Sequence, residues 1–511
     1  MRQRTRCGQM SSTRRSLALS FLEKYLSFTI QFGTSMIVAR LIAPDAFGAF
    51  AIAFSIVGFA TALRDMGINN YLIQHPDPKP ADLRASLFVT CSMAWGLGLL
   101  MLALSPLIGD WYGAEVRNLV YVMLLSFVLV PFGSTAFAML QRELDFAALL
   151  RINLAGTVTN AGLSILLAGM GWDAMALATA SVAGQLVTVL FAIAQRPRID
   201  YVSFSIAGVG RVFRFGALVA LSALLQQFST NIAMLITGRF VSLQDIGLLA
   251  RAQSVTGLFS RLIMDAVQPL MLPVLSAMRR DGIDLAAPLA RGLSYLSVVS
   301  WPFFLFVALH AEGIIVVLFG ARWVDAAILL RIMSFSGLFW IVQPIANPLL
   351  IAAGRVAVTA RVQAINQVLA LAGVLLAAPL GIVAVAMAGI VISALHGAVW
   401  LFHTQRAVRL TSAGFRDAFG RSALVAVLAI ALPAMAAEFL PRPGPLAALI
   451  LDGALLAGAW LGAVFALRHP IAAEVSMLVQ LLRRRWSALI AASRNPGEAS
   501  GAHGTDRSRR P

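Results

Sequence analysis

The sequence predicts an all-α integral membrane protein of about fourteen transmembrane helices, arranged as two pseudo-symmetric six-helix lobes plus a C-terminal helix pair, with both termini cytoplasmic. Three observations predict it. Of 511 residues, 59% are hydrophobic and only 12% charged, and the mean hydropathy of +0.82 is far above that of a soluble domain of this length. The apolar stretches divide into runs of about 20 residues, each long enough to cross a hydrocarbon core. The 40 Lys and Arg side chains are also unevenly shared: alternate connections with both termini hold 31, the other connections hold six (Arg40, Arg117, Arg239, Arg322, Arg331, Arg442), and Lys24, Arg251 and Arg261 fall within spans. Short cytoplasmic loops carry the excess of Lys and Arg, so the rich set faces the cytoplasm.

Taken in order, residues 1–16 form a basic cytoplasmic tail and residues 17–200 a first lobe. Its spans run at about 17 to 39, 47 to 63, 86 to 108, 118 to 139, 152 to 170 and 173 to 194. A polar hinge, Gln195 to Arg211, leads into a second lobe, residues 201–410, with spans at about 213 to 237, 246 to 268, 293 to 319, 328 to 352, 362 to 380 and 382 to 403. Residues 411–467 add two spans, about 422 to 439 and 446 to 467, and residues 468–511 form a basic tail whose last stretch, small, polar and Arg-rich, is expected to be disordered. A gap-free shift of 199 residues places Arg40 on Arg239, Gly48 on Gly247, Ala51 on Ala250, Ala53 on Ala252, Ser55 on Ser254 and Gly58 on Gly257. Each half has an even number of spans, so the halves share one orientation and predict lobes related by an axis along the membrane normal.

Composition also excludes functions. A net charge of +17 would suggest nucleic acid in a soluble protein, but here the positive-inside bias and anionic lipid head groups account for it, and no nucleic-acid-binding module accompanies the charge. Cys7 and Cys91 form no disulfide framework or metal-ligand pattern. There is no phosphate-binding Gly-rich loop with Lys, no zinc-helix His pair and no nucleophile elbow, so neither an enzyme nor a cofactor is expected.

Polar side chains in mid-span need a reason to be there. Arg251, Ser254, Arg261, Asp265 and Gln268 fall along one face of the eighth span. Arg261 and Asp265, four apart, can pair, whereas Arg251 has no acidic residue three or four positions away. The stripe reads either as a structural ion pair between helices or as a hydrated cationic cavity wall able to hold a phosphate bidentately. The first span carries Glu23, Ser27, Gln31 and Thr34 on one face; Glu23 is a proton or cation site, with Asp265 the other coupling candidate, or else a partner of Lys24 or a tail arginine. Asn153, Thr157, Asn160 and Ser164 stripe the fifth span, and Gln227 with Asn231 form an i, i+4 pair in the seventh. Interhelical hydrogen bonding is the general expectation for such groups, with Gln31, Gln227, Asn231 and Gln268 taken as additional cavity candidates.

Val38-Ala39-Arg40-Leu41-Ile42-Ala43-Pro44-Asp45-Ala46-Phe47-Gly48, then Asp65-Met66-Gly67-Ile68 and Leu72-Ile73-Gln74, resemble the opening of the bacterial polysaccharide-biosynthesis flippases that export O-antigen or exopolysaccharide units. Leu318-Phe319-Gly320-Ala321-Arg322-Trp323, Leu330-Arg331-Ile332 and Ala353-Gly354-Arg355 resemble the same family further along. The resemblance covers about residues 15 to 410 and extends to the multidrug/oligosaccharidyl-lipid/polysaccharide exporter superfamily, whose fold is two six-helix lobes, with two extra helices in many flippases. It implies a protein of the bacterial inner membrane that flips an undecaprenyl-diphosphate-linked oligosaccharide, with bilayer lipids and the polysaccharide polymerase machinery as further partners. Its competitors are a cation-coupled multidrug or small-solute exporter and a non-transporting scaffold. The opening motif marks fold, so no site residue is carried over from it.

Overall fold

A computed structural model describes residues 2–65, 68–196, 203–205, 209–210, 212–213, 232–408, 412–439 and 444–494, and among these the chain is helical with no strand. Eleven of the described helices are long and apolar enough to cross a membrane, and a broken pair, Leu243–Met264 with Val267–Arg280, makes a twelfth if read as one span. Each overlies a span expected from the sequence. Of the remaining two expected spans, 17 to 39 lies within α1 (Arg2–Leu41), where Glu23, Lys24 and the polar stripe dilute the apolar character, and 213 to 237 lies mostly outside the described residues. The observed count is therefore eleven or twelve, against about fourteen expected.

The chain divides into two compact units. The first comprises Met1–Leu262, His310–Phe339 and Ala360–Val399. It contains α1, α2 (Pro44–Asp65), α3 (Ile68–Gln74), α4 (Pro80–Ala103), α5 (Ser105–Tyr112), α6 (Ala114–Arg142), α7 (Phe146–Gly169), α8 (Asp173–Gln195) and α9 (Leu243–Phe259). Local chemistry sets the starts of these helices. Pro44 and Pro80 occupy first-turn positions where a missing N–H costs nothing, and the Asp145 carboxylate accepts from the Ala148 N–H at 3.0 Å. Ser242 and Asp245 satisfy each other's orphan N–H groups at the start of α9. Glycines with positive φ, Gly113 (95°) and Gly320 (98°), turn the chain out of α5 and out of the helix Ala311–Phe319. Ile42, Ile52, Leu119, Val120, Phe127 and Ile246 are fully buried in the core between them.

The sequence repeat acquires a physical meaning where α2 meets α9. A Cβ on Gly48 would lie 1.7 Å from the Leu243 carbonyl oxygen, and one on Gly247 would lie 1.9 Å from the Pro44 carbonyl oxygen. Positions 44 and 243, like 48 and 247, are 199 residues apart, so each helix presents to the other the counterpart of what it receives. The contact is a local two-fold seam that only glycine permits. Three hydrogen bonds lie near it: Trp323 Nε1 donates to the Ala39 carbonyl (2.6 Å), Arg40 Nη2 to Val317 (2.8 Å) and the Tyr112 hydroxyl to Leu235 (2.9 Å).

The second unit, Ile263–Leu309, Trp340–Thr359 and Trp400–Pro511, is organised on α11 (Ala286–Leu309), with α10 (Asp265–Arg280) beside the helix Gln343–Ala352. Helices α12 (Ser412–Phe439) and α13 (Pro445–Ala466), the expected C-terminal pair, pack on α11. Trp460 Nε1 donates to the Val298 carbonyl at 2.8 Å, and Trp301 stacks on Phe419. His469, fully buried, has Nε2 3.0 Å from Ser294 Oγ and 3.1 Å from Ser422 Oγ, while its Nδ1 accepts from the Ile471 N–H. The stretch expected to be a tail is thus anchored at its start and helical over Ile471–Arg494.

Candidate functional site

A cavity of about 550 Å³ lies within the first unit, bounded by α1, α2, α7 and α8, with Arg251 of α9 among its lining residues. Helices α7 and α8 pack closely because Gly156 and Gly184 have no side chains at their crossing: a Cβ on Gly156 would meet Thr188 Oγ1 at 2.1 Å, and one on Gly184 the Gly156 carbonyl oxygen at 2.8 Å. Two stripes of the sequence converge here, Glu23, Ser27, Gln31 and Thr34 on α1 and Asn153, Thr157, Asn160 and Ser164 on α7. One bond joins them: Asn153 Nδ2 donates to Glu23 Oε1 at 3.1 Å. Glu23 thus has a carboxamide partner from another helix, an arrangement different from the expected pairing with Lys24 or the tail. Interhelical bonding, the general expectation for the α7 stripe, holds at Asn153 but not beyond it. Among the described residues, the side chains of Gln31, Thr157, Asn160 and Gln185 have no hydrogen-bond partner, and neither does the buried Ser27 Oγ. The α2 wall is of another kind, with Phe47, Phe50 and Phe54 in succession at centroid separations of 6.3 and 5.8 Å.

Arg251 is the dominant charge of the site and is only 1% exposed. Its guanidinium carbon lies 3.7 Å from the centre of the Phe47 ring, 4.7 Å from Trp323 and 4.9 Å from Phe319. Nη1 donates to Ser35 Oγ at 2.6 Å, whereas Nε and Nη2 have no partner. Ring faces replace part of the lost hydration of a cation, but an N–H group left unpaired in a dry site carries a desolvation cost. The two free donors share one edge of the guanidinium, the edge that donates in parallel to two oxygens of a phosphate or carboxylate.

The remaining sequence candidates fall elsewhere. Arg261 is exposed in a π-helical turn, Ser260–Met264, where one extra residue per turn ends the 3.6-residue register on which the one-face reading rested. The Tyr25 hydroxyl donates to the carbonyl of neighbouring Leu262 at 3.4 Å, which brings that turn to the Glu23 end of α1. Asp265 and Gln268 are exposed on α10, in the second unit. Gln227 and Asn231 lie outside the described residues. Sequence reasoning missed the ring cage: Phe319 and Trp323 sit within the Leu318–Trp323 stretch that carries part of the family resemblance, and nothing in their spacing ties them to a cation about 70 residues away in the chain. It also passed over Asp452, a fully buried carboxylate in α13. Among the described residues no group of three or more His, Cys, Asp or Glu could hold a metal ion.

Comparisons with known proteins agree with this architecture. The succinoglycan biosynthesis transport protein ExoT of Rhizobium meliloti (strain 1021) is 25% identical over 329 residues, 63% of this chain and 65% of its own length. The lipopolysaccharide biosynthesis protein WzxC of Escherichia coli (strain K12) is 24% identical over 333 residues, 63% of this chain and 66% of its own. The chain therefore spans just under two thirds of the length of these relatives. Among solved structures, the lipid II flippase MurJ in an inward closed conformation superposes with a TM-score of 0.70 at 13% identity, over 88% of this chain and 99% of that one. An inward-facing multidrug resistance transporter of the MATE family, in the MOP superfamily, superposes with a TM-score of 0.60 at 14% identity, over 75% and 94%. These two establish a shared fold. The model of the polysaccharide biosynthesis protein family matches residues 37–328, a stretch that takes in the Gly48–Gly247 seam, the α2, α7 and α8 walls of the cavity but not its α1 ladder from Glu23 to Ser35, and Arg251 with its three rings, and the chain accordingly belongs to that family.

Proposed function

We propose that this protein is a flippase that moves an undecaprenyl-diphosphate-linked oligosaccharide from the cytoplasmic to the periplasmic leaflet of the bacterial inner membrane, for lipopolysaccharide or exopolysaccharide assembly. The observation that carries the reading is Arg251, a buried cation with two unpaired donors, among the residues that line a polar cavity inside a membrane-spanning fold. A lipid-linked sugar needs a cation for its diphosphate and hydrogen-bonding groups for its glycan, while its tail stays in hydrocarbon. The Arg-poor connections assign the seam of α2 and α9 to the periplasmic side and both termini to the cytoplasm. In this reading the seam closes the periplasmic end, the Glu23 end is the cytoplasmic entrance, and the lobes alternate access about the cavity. Arg251 receives the diphosphate. Arg261, beside the entrance, attracts it, with Asp265 and Gln268 nearby in sequence. Glu23 couples transport to a cation or proton, and Asp265 is the alternative coupling group.

A second reading, a cation-coupled multidrug or small-solute exporter, is favoured by the Glu23–Asn153 pair within the cavity. The deciding experiment deletes the gene in its native host, adds back wild type, Arg251→Gln or Arg261→Ala, and measures surface polysaccharide and lipid-linked oligosaccharide. Repeat units stranded on the cytoplasmic leaflet and rescued by wild type but not by Arg251→Gln support the flippase. Unchanged polysaccharide and no stranded precursor, in a host lacking a redundant flippase, refute it and leave the exporter.

A further inference from the structure

We infer that the C-terminal helix α14 (Ile471–Arg494) is an in-plane membrane helix whose arginines recognise anionic phospholipid headgroups. That role is independent of the flippase reading, so either can fail alone. The helix starts at a fixed place. The span of α13 ends at Ala466, and His469 follows within three residues. Its imidazole is bonded to Ser294 of α11 and to Ser422, three residues inside the span that starts at Phe419. Nδ1 of the same ring accepts from the Ile471 N–H, the first of α14. The start of α14 is therefore held at the membrane boundary. A second crossing is excluded by charge, since Arg483, Arg484 and Arg485 stand at the middle of the helix, where a spanning segment would place them in the bilayer core.

The sequence gives α14 two unlike faces. Ile471, Val475, Leu478, Leu482, Trp486 and Leu489 recur at intervals of three or four and share one of them. Gln480, Arg483, Arg484 and Ser487 occupy the other. Packing fixes which way the apolar face points: Ile471 rests on the core of the second unit with Val298, Val425 and Val464, so the first turn aims that face at the membrane-spanning bundle. From Met477 onward every described side chain of α14 is exposed, the apolar Met477 (54%) and Leu481 (51%) included. The helix thus leaves the protein after its second turn, and its apolar face passes from the bundle to the hydrocarbon around the bundle.

Charge selects the occupant. Four arginines, Arg483, Arg484, Arg485 and Arg494, against the single Glu474 give the helix a net +3. A second copy of the same helix would bring two such clusters together, and like charges repel. A leaflet containing anionic phospholipid instead presents phosphates in the plane where the helix lies, within a Debye length of each guanidinium. Arginine suits that boundary because its stem covers apolar surface while the guanidinium reaches phosphate oxygens in pairs. Trp486, beside the cluster, is a residue type that prefers the headgroup level. From Met477 to Arg494 the helix extends about 27 Å at 1.5 Å per residue, enough to lie across more than one headgroup.

The test uses the full chain in nanodiscs of phosphatidylcholine alone or mixed with phosphatidylglycerol. A nitroxide is placed at Leu482→Cys on the apolar face or at Gln480→Cys on the polar face, with Cys7 and Cys91 replaced by Ser. Collisions with oxygen and with a water-soluble nickel chelate report whether each label sits in lipid or in water. With phosphatidylglycerol present, the label at 482 should be shielded from nickel and the label at 480 open to it. The shielded-to-open ratio at 482 should be about tenfold or more above that in phosphatidylcholine alone, and should fall when salt is raised. Replacing Arg483, Arg484 and Arg485 together by Gln should abolish that difference, whereas Lys at all three should keep most of it. Should the triple Gln variant lose its helix, Arg484→Gln alone is expected to lower the ratio by about threefold. A label at 482 equally shielded, or equally open, in both lipids overturns the lipid recognition. So does shielding that appears only in discs holding two copies, with spin–spin broadening between them, since the apolar face would then belong to a second copy.

Discussion

Replacing Gly48 with alanine tests the seam most directly. The new Cβ would stand 1.7 Å from the Leu243 carbonyl oxygen, 2.7 Å from its carbon and 2.9 Å from the Gly247 nitrogen. All three are backbone atoms of a capped helix start, so no side chain can swing away. An ordinary C···O approach is about 3.3 Å, and α2 and α9 must therefore separate by about 1.5 Å where they cross. Overpacking of this kind costs about 1–3 kcal/mol, and a backbone clash belongs at the upper end; about 3 kcal/mol lowers the closed population by roughly 150-fold relative to any state in which the helices part. Spin labels at Asp45 and Gln244, exposed first-turn positions 199 residues apart, report the seam by a distance measurement. Wild type should give one short, narrow distribution, and Gly48→Ala a longer and broader one. Gly247→Ala, whose Cβ would meet the Pro44 oxygen at 1.9 Å, should match it. Gly162→Ala has nothing within 4 Å and should leave the distance unchanged. A Gly48→Ala protein with the wild-type distribution and wild-type thermal stability would refute the reciprocal contact.

Further outcomes are expected elsewhere. Arg251→Gln keeps a donor for Ser35 but loses the cation, so diphosphate affinity should fall by about tenfold or more in titration; unchanged affinity would show that the guanidinium is purely structural. Arg142 closes the C-terminal end of α3, donating from Nη1 to the Leu72 carbonyl and from Nη2 to that of Pro76. Arg142→Ala should destabilise the protein by about 2 kcal/mol in a denaturant titration, and no change would mean those carbonyls are satisfied by solvent. Burial, with Arg421 nearby, holds the His469 imidazole below its ordinary pKa of 6.5. The anchor of the C-terminal pair is thus fully present above about pH 6.5 and weakens as pH falls below it toward the depressed value, because the undocked state takes up the proton first. Amide protection in α12 and α13, taken relative to the intrinsic exchange rate at each pH, should fall between pH 7 and pH 5 in wild type and lose that dependence in His469→Gln. Trp460→Phe, which removes the bond to Val298, should cost about 1 kcal/mol without altering diphosphate affinity.

Much of the fold was legible because a bilayer leaves few choices: apolar runs of about 20 residues must be helices, and every described helix long and apolar enough to cross a membrane lies on an expected span. The polar stripes of α1 and α7 were legible as faces, since 3.6-residue periodicity survives wherever a helix is unbroken. That they meet depends on α1 packing against α7, and sequence spacing does not reveal which helices pack together. The stripe from Arg251 to Gln268 is interrupted by the π-turn at Ser260–Met264, with Arg251 buried before it and Arg261 and Asp265 exposed within and after it. The cage around Arg251 joins α2, α9 and the Phe319–Trp323 segment through the tertiary fold alone.

The glycine seam also bears on speed. Helices that interlock through side chains must reset rotamers and re-form knobs in holes whenever they part, and each such step adds to a barrier. At Gly48 and Gly247 backbone meets backbone, with no side chain on either glycine to rearrange. The joint is therefore close-fitting and smooth, and the groups that would have to rearrange if it parted are the three rings around the guanidinium beside it.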